Sequence, residues 1–264
     1  GFWETLGGEL RRLLDLVSSE TFPDVPVEDR IVAWLCAQGE RDAAESFLEY
    51  AFDNQNGYPH RMDGGRPHIT LPMIDALSAS SGRITAVADV ELRYRTRLLQ
   101  VRWATPTVLH LEGAAFVEYL ADSYADSTIT LHLRDRATGR TVRVPTTPTP
   151  EPTVNQWSQR ANEDHSGGAF SADVDLAALE RSGGRGPVEV DVLVELRIGE
   201  HERLDGFHSR AGNASAGLLE TSVADGVAAE PVWTPHAGLA LELRTPTRAD
   251  LRRPRRLGRV RVSD

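Results

Sequence analysis

Apolar residues in the first third of the chain recur at the spacing of α-helices. The first stripe, which predicts an amphipathic helix near the N-terminus, consists of Leu6, Leu10, Leu13, Leu14 and Val17. A second helix is predicted from Pro26, a favoured first-turn residue, to the C-terminal cap Gly39, with Trp34 on its inward face. A third helix is predicted over residues 41–54. Together the three predict an α-helical linker over residues 1–56.

From Gly57 onward the apolar period changes from helical to alternating. The turn at residues 63–65 (DGG) separates two short runs and predicts a β-hairpin, which with a serine-rich connector occupies residues 57–83. The alternating runs that follow lie at residues 88–103, 107–119, 128–134, 141–144, 170–176, 188–198, 238–244 and 259–262. Many short strands without intervening long helices are typical of a sandwich or barrel. The predicted fold is mainly β with an N-terminal α-helical linker, and residues 84–264 are expected to form an antiparallel β-sandwich, immunoglobulin-like or jelly-roll-like.

Two stretches lack a strand pattern and are predicted to be loops. Residues 145–152 are rich in proline and threonine, and proline is rare inside sheets because it cannot donate to the hydrogen-bond ladder. Residues 209–229 are rich in Gly, Ala and Ser and predict a long surface loop. The proline-rich stretch could separate two sandwiches, but the predicted strands before it are too few for a complete sandwich. A single sandwich is therefore the favoured interpretation.

Charge and composition narrow the class of partner. The 264 residues carry a net charge of -10, and nucleic-acid binding needs clustered cations, so no nucleic-acid partner is expected. No window approaches the roughly 18 apolar residues of a membrane span, and no signal peptide is visible. We therefore expect a cytoplasmic protein, with contact at the inner face of the membrane left open. The single cysteine, Cys36, excludes an internal disulfide and is expected to be buried on a helix stripe.

Two clusters match the letter patterns of catalytic sites, and neither is predicted to be one. Asp173 and Asp175 form a D-x-D pattern, but strand alternation places both carboxylates on a solvent face. The run Asp164-His165-Ser166 is predicted to be a polar loop, because consecutive side chains cannot align as acid, base and nucleophile.

Three further polar residues, His60, Asp63 and His68, surround the predicted hairpin turn and resemble a set of metal ligands. With a two-residue loop the two histidines project to opposite faces of the hairpin, and only a three-residue loop would bring them together. We therefore predict no metal site, no catalytic residue and no cofactor in this chain.

Two tryptophans and one arginine cluster are the candidate binding residues. Trp157 lies in a polar stretch and Trp233 lies between two prolines, so each is either an exposed platform for a sugar ring or a plug at the open end of the sandwich. The arginine cluster is a solvated tail, an intramolecular partner, or a contact with an anionic polymer or membrane, and it comprises Arg252, Arg253, Arg255 and Arg256.

Several segments resemble the region that follows the catalytic domain in actinobacterial family 2 glycosyltransferases. Those enzymes are similar to the wall teichoic acid glycosyltransferases of Gram-positive bacteria. The first segment is VPVEDRIVAW at residues 25–34, followed by GERD at residues 39–42. The segments VRW at 101–103 and LHLEGAA at 109–115 resemble the first sandwich strands of the same tails, and VWTPHAGLAL at 232–241 resembles their closing strand.

The resemblance implies an accessory role rather than catalysis. The family's catalytic machinery lies in a nucleotide-diphospho-sugar fold, and this sequence contains none of that module. The chain is therefore expected to be a non-catalytic C-terminal region whose partner is its own catalytic domain. Immunoglobulin-like C-terminal sandwiches of the teichoic acid relatives are associated with trimer formation, which implies a homo-oligomer, either trimer or dimer.

A second hypothesis, of a different class, is a carbohydrate-binding module that grips a cell-wall glycan. An assembly module predicts a large apolar patch, whereas a carbohydrate-binding module predicts a groove lined by exposed aromatic residues. A stand-alone hydrolase is the weakest hypothesis, because the sequence contains no credible pair of nucleophile and base.

Overall fold

The computed structural model describes residues 25–53, 57–71, 82–121, 127–160, 162–179, 187–212, 214–218 and 220–252, together with residues 5 and 8. The predicted N-terminal amphipathic stripe and the predicted last strand at residues 259–262 lie outside the described residues. No helix in the described part of the chain is long and apolar enough to cross a bilayer.

Two helices joined by a short turn open the described part of the chain after residues 5 and 8, α1 (Val27–Gln38) and α2 (Arg41–Asp53). Gly39 ends α1 with a positive φ of 83°, as the sequence predicted for this cap. The buried face of α1 is formed by Val27, Arg30, Ile31, Leu35, Cys36 and Ala37. Trp34 is only half-buried, so it contributes less to this core than its predicted inward position implied. Burial raises the pKa of the Cys36 thiol.

A hairpin follows, formed by β1 (His60–Asp63) and β2 (Arg66–Ile69). Asp63 pairs with Arg66, which leaves a two-residue loop. Both loop residues, Gly64 and Gly65, have positive φ, as a type I′ turn requires. The predicted hairpin is confirmed, with its turn at these two glycines.

Two sheets form the rest of the fold, and they account for the predicted β-sandwich. The seven-stranded sheet has the order β12-β13-β14-β9-β5-β6, with β10 also paired to β9, and the five-stranded sheet has the order β11-β3-β4-β8-β7. All pairs within them are antiparallel except β11 with β3. The strands are β3 (Tyr94–Trp103), β4 (Val108–Val117), β5 (Thr128–Asp135), β6 (Thr141–Pro145), β7 (Thr147–Pro148), β8 (Ala169–Asp175), β9 (Val188–Ile198), β10 (His201–Asp205), β11 (Ser209–Arg210), β12 (Ser222–Ala224), β13 (Val227–Thr234) and β14 (Gly238–Arg244).

Short helices connect some of these strands. They are α3 (Gly82–Thr85), α4 (Thr153–Ser158), α5 (Ala214–Gly217) and α6 (Arg248–Arg252), with 3-10 turns at Asp89–Glu91, Ser166–Gly168 and Leu176–Ala178. Among them, α4 packs on the outer surface of the five-stranded sheet, where Val154 belongs to one apolar cluster with Phe116 and Ala114.

Both predicted loops are wrong in part. Residues 145–152 include β7, which pairs with β8, so this proline-rich stretch carries the chain from one sheet of the sandwich to the other. Its prolines are tolerated because β7 is a two-residue strand at the sheet edge. Residues 209–229 contain β11, α5, β12 and the start of β13, and Ala214, Ala228 and Ala229 are fully buried. Small side chains fit there because neighbouring chain segments approach closely.

The chain changes sheets again between β10 and β11, where two glycines allow close backbone contact. A β-carbon on Gly206 would overlap the carbonyl oxygen of Ala237, and one on Gly238 would overlap the carbonyl oxygen of Phe207. The Phe207 amide donates to the Ala237 oxygen at 3.1 Å. Only glycine fits at these two positions without moving a backbone segment.

One continuous hydrophobic cluster joins the helices, the hairpin and both sheets. It extends from Val27 of α1 through Tyr58 to Leu98 and Leu243 in the two sheets. The two sheets are also linked directly, because the Tyr94 hydroxyl donates to the Val194 carbonyl at 2.8 Å. The division into residues 1–56, 57–83 and 84–264 stays a prediction, but the helices and the sandwich share this core.

Candidate functional site

The D-x-D carboxylates lie where alternation predicted. Asp173 and Asp175 are exposed on β8, while Val174 between them is fully buried. Asp173 accepts a hydrogen bond from His110, and Asp175 caps the following 3-10 turn by accepting from the Ala177 amide at 2.9 Å. Both carboxylates therefore have local structural partners.

The hairpin histidines do not meet, because the loop has two residues. His60 pairs across the strands with Ile69, and His68 pairs with Arg61, so the two rings lie on opposite faces. His60 contacts the Tyr119 ring edge-on at 5.5 Å, and His68 lies 3.3 Å from the Thr85 hydroxyl. Within the described residues, no group of three His, Cys, Asp or Glu side chains is placed to hold a metal ion.

The predicted polar loop at residues 164–166 has a buried central residue, although Asp164 and His165 lie outside helices and strands as predicted. His165 is fully buried and stacks on Phe116 with ring centroids 4.2 Å apart. Asp164 stays exposed, and hydrogen bonds from Ser166 and Asn155 lower its pKa to about 2. The three residues are polar, as the sequence shows, but His165 is buried because its ring packs on the ring of Phe116.

Glu163 is the centre of a buried polar network beside His165. Its side chain lies 2.8 Å from His165 Nε2, accepts from Arg160 Nε at 2.7 Å and accepts from the Tyr119 amide at 2.7 Å. Burial alone would raise the pKa of Glu163, but these hydrogen bonds and charges lower it below the ordinary value. Arg160 also stacks over the Tyr119 ring at 4.2 Å. The network joins Arg160 and Glu163 to Tyr119 and has a structural role.

Trp157 lies on α4 and is half-buried on the outer face of the five-stranded sheet. The Trp157 and Phe116 rings pack in a T-shaped arrangement, with centroids 5.0 Å apart. The guanidinium carbon of Arg97 lies 5.4 Å from the Trp157 ring centroid. The residue stands on a short helix, not in the irregular polar loop that the sequence predicted. Its use as a glycan platform stays a prediction.

Trp233 occupies a different place in the fold. Its strand partner is Leu239, which is fully buried, so Trp233 is on the core-facing side of β13 and packs against the core. Arg210 lies over its ring at 5.2 Å. Trp157 is outside the five-stranded sheet and Trp233 is between the sheets, so the two rings do not form one platform. A glycan contact at Trp233 also stays a prediction.

The candidate anion cluster falls mostly outside the described residues. Arg252 is the last residue of α6, whereas Arg253, Arg255 and Arg256 lie outside the described residues. Their contact with an anion stays a prediction.

A polar strip crosses three strands next to Trp157. His110 of β4 lies between two carboxylates, with Nδ1 2.7 Å from Asp173 Oδ1 and Nε2 3.3 Å from Glu112 Oε1. With its side-chain amide oriented to donate, Gln100 of β3 bonds to Glu112 Oε1 at 3.0 Å. The strip therefore runs from β3 through β4 to β8 along the solvent side of the sheet.

Three arginines on the outer face of β3 border this strip. Thr96, Leu98 and Val101 point inward and are buried. Three arginines of the strand point outward instead. Arg95 and Arg97 come before a bulge between Leu98 and Gln100, and Arg102 comes after it. We call Trp157 together with Arg95, Arg97, Gln100 and Arg102 the β3 strip.

None of the three β3 arginines was among the residues predicted to bind a ligand. A signal was present, because the polar positions of the predicted strand at 88–103 hold arginines, and those of the next strand hold His110 and Glu112. What the pattern cannot reveal is that α4 folds back to place Trp157 beside Arg97. Flat rings next to hydrogen-bonding side chains are suited to binding sugar rings, and guanidinium groups are suited to phosphate or carboxylate.

Comparisons with known proteins bear on the fold. No protein-family model matches the sequence, and no curated protein matches it either. Among solved structures, "S. aureus TarS 217-571" is similar, with a TM-score of 0.53 and 12% identity over 92% of this chain and 62% of that chain. The crystal structure of S. aureus TarS gives a TM-score of 0.46 and 12% identity over 94% of this chain and 40% of that one. The chain thus spans 62% of the TarS 217–571 structure, and at this identity the likeness concerns the fold.

Proposed function

We propose that this chain is the non-catalytic C-terminal accessory region of a family 2 glycosyltransferase that acts on a cell-wall glycopolymer, and that it serves oligomerisation or acceptor positioning. The observation that carries this proposal is the fold likeness to TarS 217–571 over 92% of the chain. TarS is a wall teichoic acid glycosyltransferase. The segments at residues 25–34 and 232–241 support the same family through sequence resemblance.

The proposed partners follow from this assignment. They are the enzyme's own catalytic domain and further copies of this chain, because TarS, whose fold this chain resembles, is a glycosyltransferase. No cofactor and no nucleic acid is proposed, because the chemistry that needs them belongs to the catalytic domain and the chain has a net charge of -10. The proposed location is the cytoplasm, at the inner face of the membrane where a wall polymer would be glycosylated.

Self-association is supported by exposed apolar surface on α2. Phe52 is 75% exposed and Leu48 is 49% exposed, and their spacing of four residues places both on one side of the helix. Sheet edges at β6 and β12 also present backbone groups that another chain can pair with. We expect a trimer or a dimer whose interface buries at least about 1,000 Å² in total.

Light scattering at micromolar concentration tests the assembly role. We expect an oligomer that dissociates when Phe52→Glu places a charge in the interface. Ser46→Glu adds the same charge at an exposed position on another side of the helix and should leave the mass unchanged. A monomer at all concentrations would contradict oligomerisation and leave acceptor positioning as the role.

Calorimetric titration with nucleotide sugars in Mg²⁺ or Mn²⁺ tests the non-catalytic assignment. We expect no binding, because the described residues form helices and antiparallel sheets without a nucleotide-binding α/β unit. A micromolar site, or release of free sugar from the donor, would contradict it.

A second candidate function is a carbohydrate-binding module, and the half-exposed Trp157 beside a polar strip favours it. Binding of the isolated chain to a purified wall glycan, lost in Trp157→Ala, is the expected result for that function. A monomer that binds the glycan would favour this candidate over assembly.

A further inference from the structure

We propose that the proline-rich stretch at residues 145–152 closes one side of the sandwich to β-strand addition by a second copy of this chain. The prolines concerned, which we call the proline edge, are Pro145, Pro148 and Pro150. They occupy positions whose backbone nitrogens face away from the sandwich, and proline has no N–H group to donate there. The proposal does not depend on the proposed function, because it concerns a surface on which association is prevented.

The stretch lies at the edges of both sheets. β6 is the last strand of the seven-stranded sheet, and β7 is the last strand of the five-stranded sheet. Thr146 alone separates the two strands along the chain. A strand at a sheet edge carries one row of backbone groups without a partner in its own sheet, and another chain can add a strand there. This side of the molecule therefore has two adjoining edges.

The backbone of β7 and of the residues after it bonds inward at every second position. The Thr149 amide donates to a β8 carbonyl at 3.0 Å, and the Glu151 amide donates to a carbonyl of the 3-10 turn before β8 at 3.1 Å. Successive amides of an extended chain point in opposite directions, so the intervening nitrogens face away from β8. Those nitrogens belong to Pro148 and Pro150, which are both exposed. The outer side of β7 therefore presents carbonyl oxygens without N–H donors.

The same alternation places Pro145 on the outer side of β6. The Asp135 amide donates to the Arg140 carbonyl just before β6 at 2.9 Å, whereas the next amide, that of Arg136, donates to a β9 carbonyl at 2.9 Å. Odd-numbered residues of β5 therefore bond toward β6, and even-numbered residues bond toward β9. Pro145 is paired with Thr130, an even-numbered residue, so its nitrogen faces away from β5.

The fourth proline of the stretch occupies a different kind of position. Pro152 has a φ of -61° and a ψ of -22° and directly precedes α4. Proline is favoured at the start of a helix because the first N–H groups have no partner within the helix. All four prolines therefore lie where the fold requires no inward N–H group.

Without its prolines, this stretch would be a strong strand former at a sheet edge. Threonine and valine favour strands, and they account for six of the seven non-proline residues from 141 to 149, namely Thr141, Val142, Val144, Thr146, Thr147 and Thr149. An exposed edge of such residues pairs readily with another chain. Proline at the outward positions removes the donors that this pairing needs and leaves the inward bonds intact.

The proline edge begins where β6 ends. The outward amides of β6 belong to Thr141 and Arg143, because their partners on β5 are the even-numbered Arg134 and His132. Strand addition on this side of the sandwich is therefore confined to two outward N–H groups.

Light scattering of a double variant of the 264-residue chain tests the proposal. Pro148→Thr with Pro150→Thr restores two outward N–H groups in a strand-forming segment. We expect its weight-average mass to exceed that of wild type about twofold or more at the same micromolar concentration. The comparison is with wild type in whatever oligomeric state it has, so failure of this proposal and failure of the proposed assembly role are distinguishable.

Two further pairs of substitutions serve as controls. Pro106→Thr with Pro235→Thr makes the same chemical change in the β3–β4 and β13–β14 turns and should leave the mass at its wild-type value. Pro148→Lys with Pro150→Lys restores the same two N–H groups but adds charges that repel a second copy, so it should associate less than the threonine pair. A wild-type mass for the threonine pair, or equal association of the threonine and lysine pairs, would overturn the proposal.

Thermal unfolding separates this role from simple stiffening of the crossover between the sheets, which proline also provides. The Pro148→Thr, Pro150→Thr variant should unfold near the wild-type temperature, because its inward bonds remain. A lower midpoint with an unchanged mass would assign the prolines to stiffening instead. Thr149→Pro removes the inward bond to β8 and should lower the midpoint. If that variant were as stable as wild type, the alternation on which the proposal rests would be wrong.

Discussion

Oε2 of Glu163 lies 2.8 Å from Nε2 of His165, and both side chains are completely buried. Burial of a carboxylate is costly unless its oxygens accept hydrogen bonds. Arg160 and the Tyr119 amide supply further donors to the same group. The loop that contains both residues therefore depends on tertiary contacts with the Phe116 surface and the Tyr119 backbone for its conformation.

Replacing the buried carboxylate tests how much this network contributes to stability. Glu163→Gln should lower the free energy of unfolding by about 3–5 kcal/mol, because it leaves Arg160 and the backbone donor without a charged acceptor. Urea denaturation measures the change. The matched control is Glu45→Gln, which removes a carboxylate from an exposed pair with Arg41 and should cost less than about 1 kcal/mol. Equal effects of the two substitutions would contradict the structural role of Glu163.

The same network predicts a dependence of stability on pH. The pKa of Glu163 is lower in the folded protein than its ordinary value of 4.5. Below 4.5 the unfolded chain therefore binds a proton that the folded protein does not, so this contribution to stability is lost as pH falls through the folded pKa. The difference in unfolding free energy between wild type and Glu163→Gln should be constant above about pH 5 and narrow below it. A difference that widens on acidification would be evidence against the lowered pKa.

A β-carbon at Gly238 should prevent the correct junction between β10 and β14. Gly238 has φ of 65°, and a methyl group there would overlap the Phe207 carbonyl. We expect Gly238→Ala to cost at least about 4 kcal/mol, measured by chemical denaturation. Gly139→Ala is the control, since Gly139 has φ of 72° but open space around it, and only the conformational cost of about 1–2 kcal/mol applies. Similar costs at the two positions would mean that the overlap relaxes easily.

Two phenylalanines on α2 separate core packing from surface exposure. Phe47 is fully buried and packs against Tyr58 with ring centroids 6.0 Å apart, whereas Phe52 is 75% exposed. Phe47→Ala should lower the unfolding free energy by about 3–5 kcal/mol. Phe52→Ala should change it by less than about 1 kcal/mol at concentrations where the chain is monomeric. The thermal midpoint compares the two, and a larger loss in Phe52→Ala would show that α2 packs through its other face.

Local periodicity was sufficient for much of this fold. Residues 188–198 and 238–244 alternate strongly, so their predicted bounds match β9 and β14. The cap at Gly39 and a hairpin turn within residues 63–65 were predicted correctly, because a positive φ is a local requirement that few residues other than glycine meet. The structure decided that the loop is Gly64-Gly65. The exposed positions of Asp173 and Asp175 followed from the same alternation.

Strands without a strong apolar pattern were not predictable in this way. β13 contains Ala228, Ala229 and Pro231, which are buried although none is a strong strand former. Their burial depends on neighbours such as Leu243 and Leu241, which belong to a different strand and are paired with them only in the folded sheet. The same holds for the proline-rich stretch at residues 145–152, because its pairing with β8 inside the five-stranded sheet joins segments that are separated along the chain.

The sequence by itself determined the secondary-structure periods, the turns and the mainly β class, because each depends on neighbouring residues along the chain. Only the tertiary structure decided which polar residues are buried and which meet on one surface. His165 is buried because Phe116 lies beside it, and Arg97 meets Trp157 because α4 folds onto the outer face of β3. Both contacts join residues that are far apart in the sequence, and a pattern of neighbouring residues carries no information about such long-range contacts.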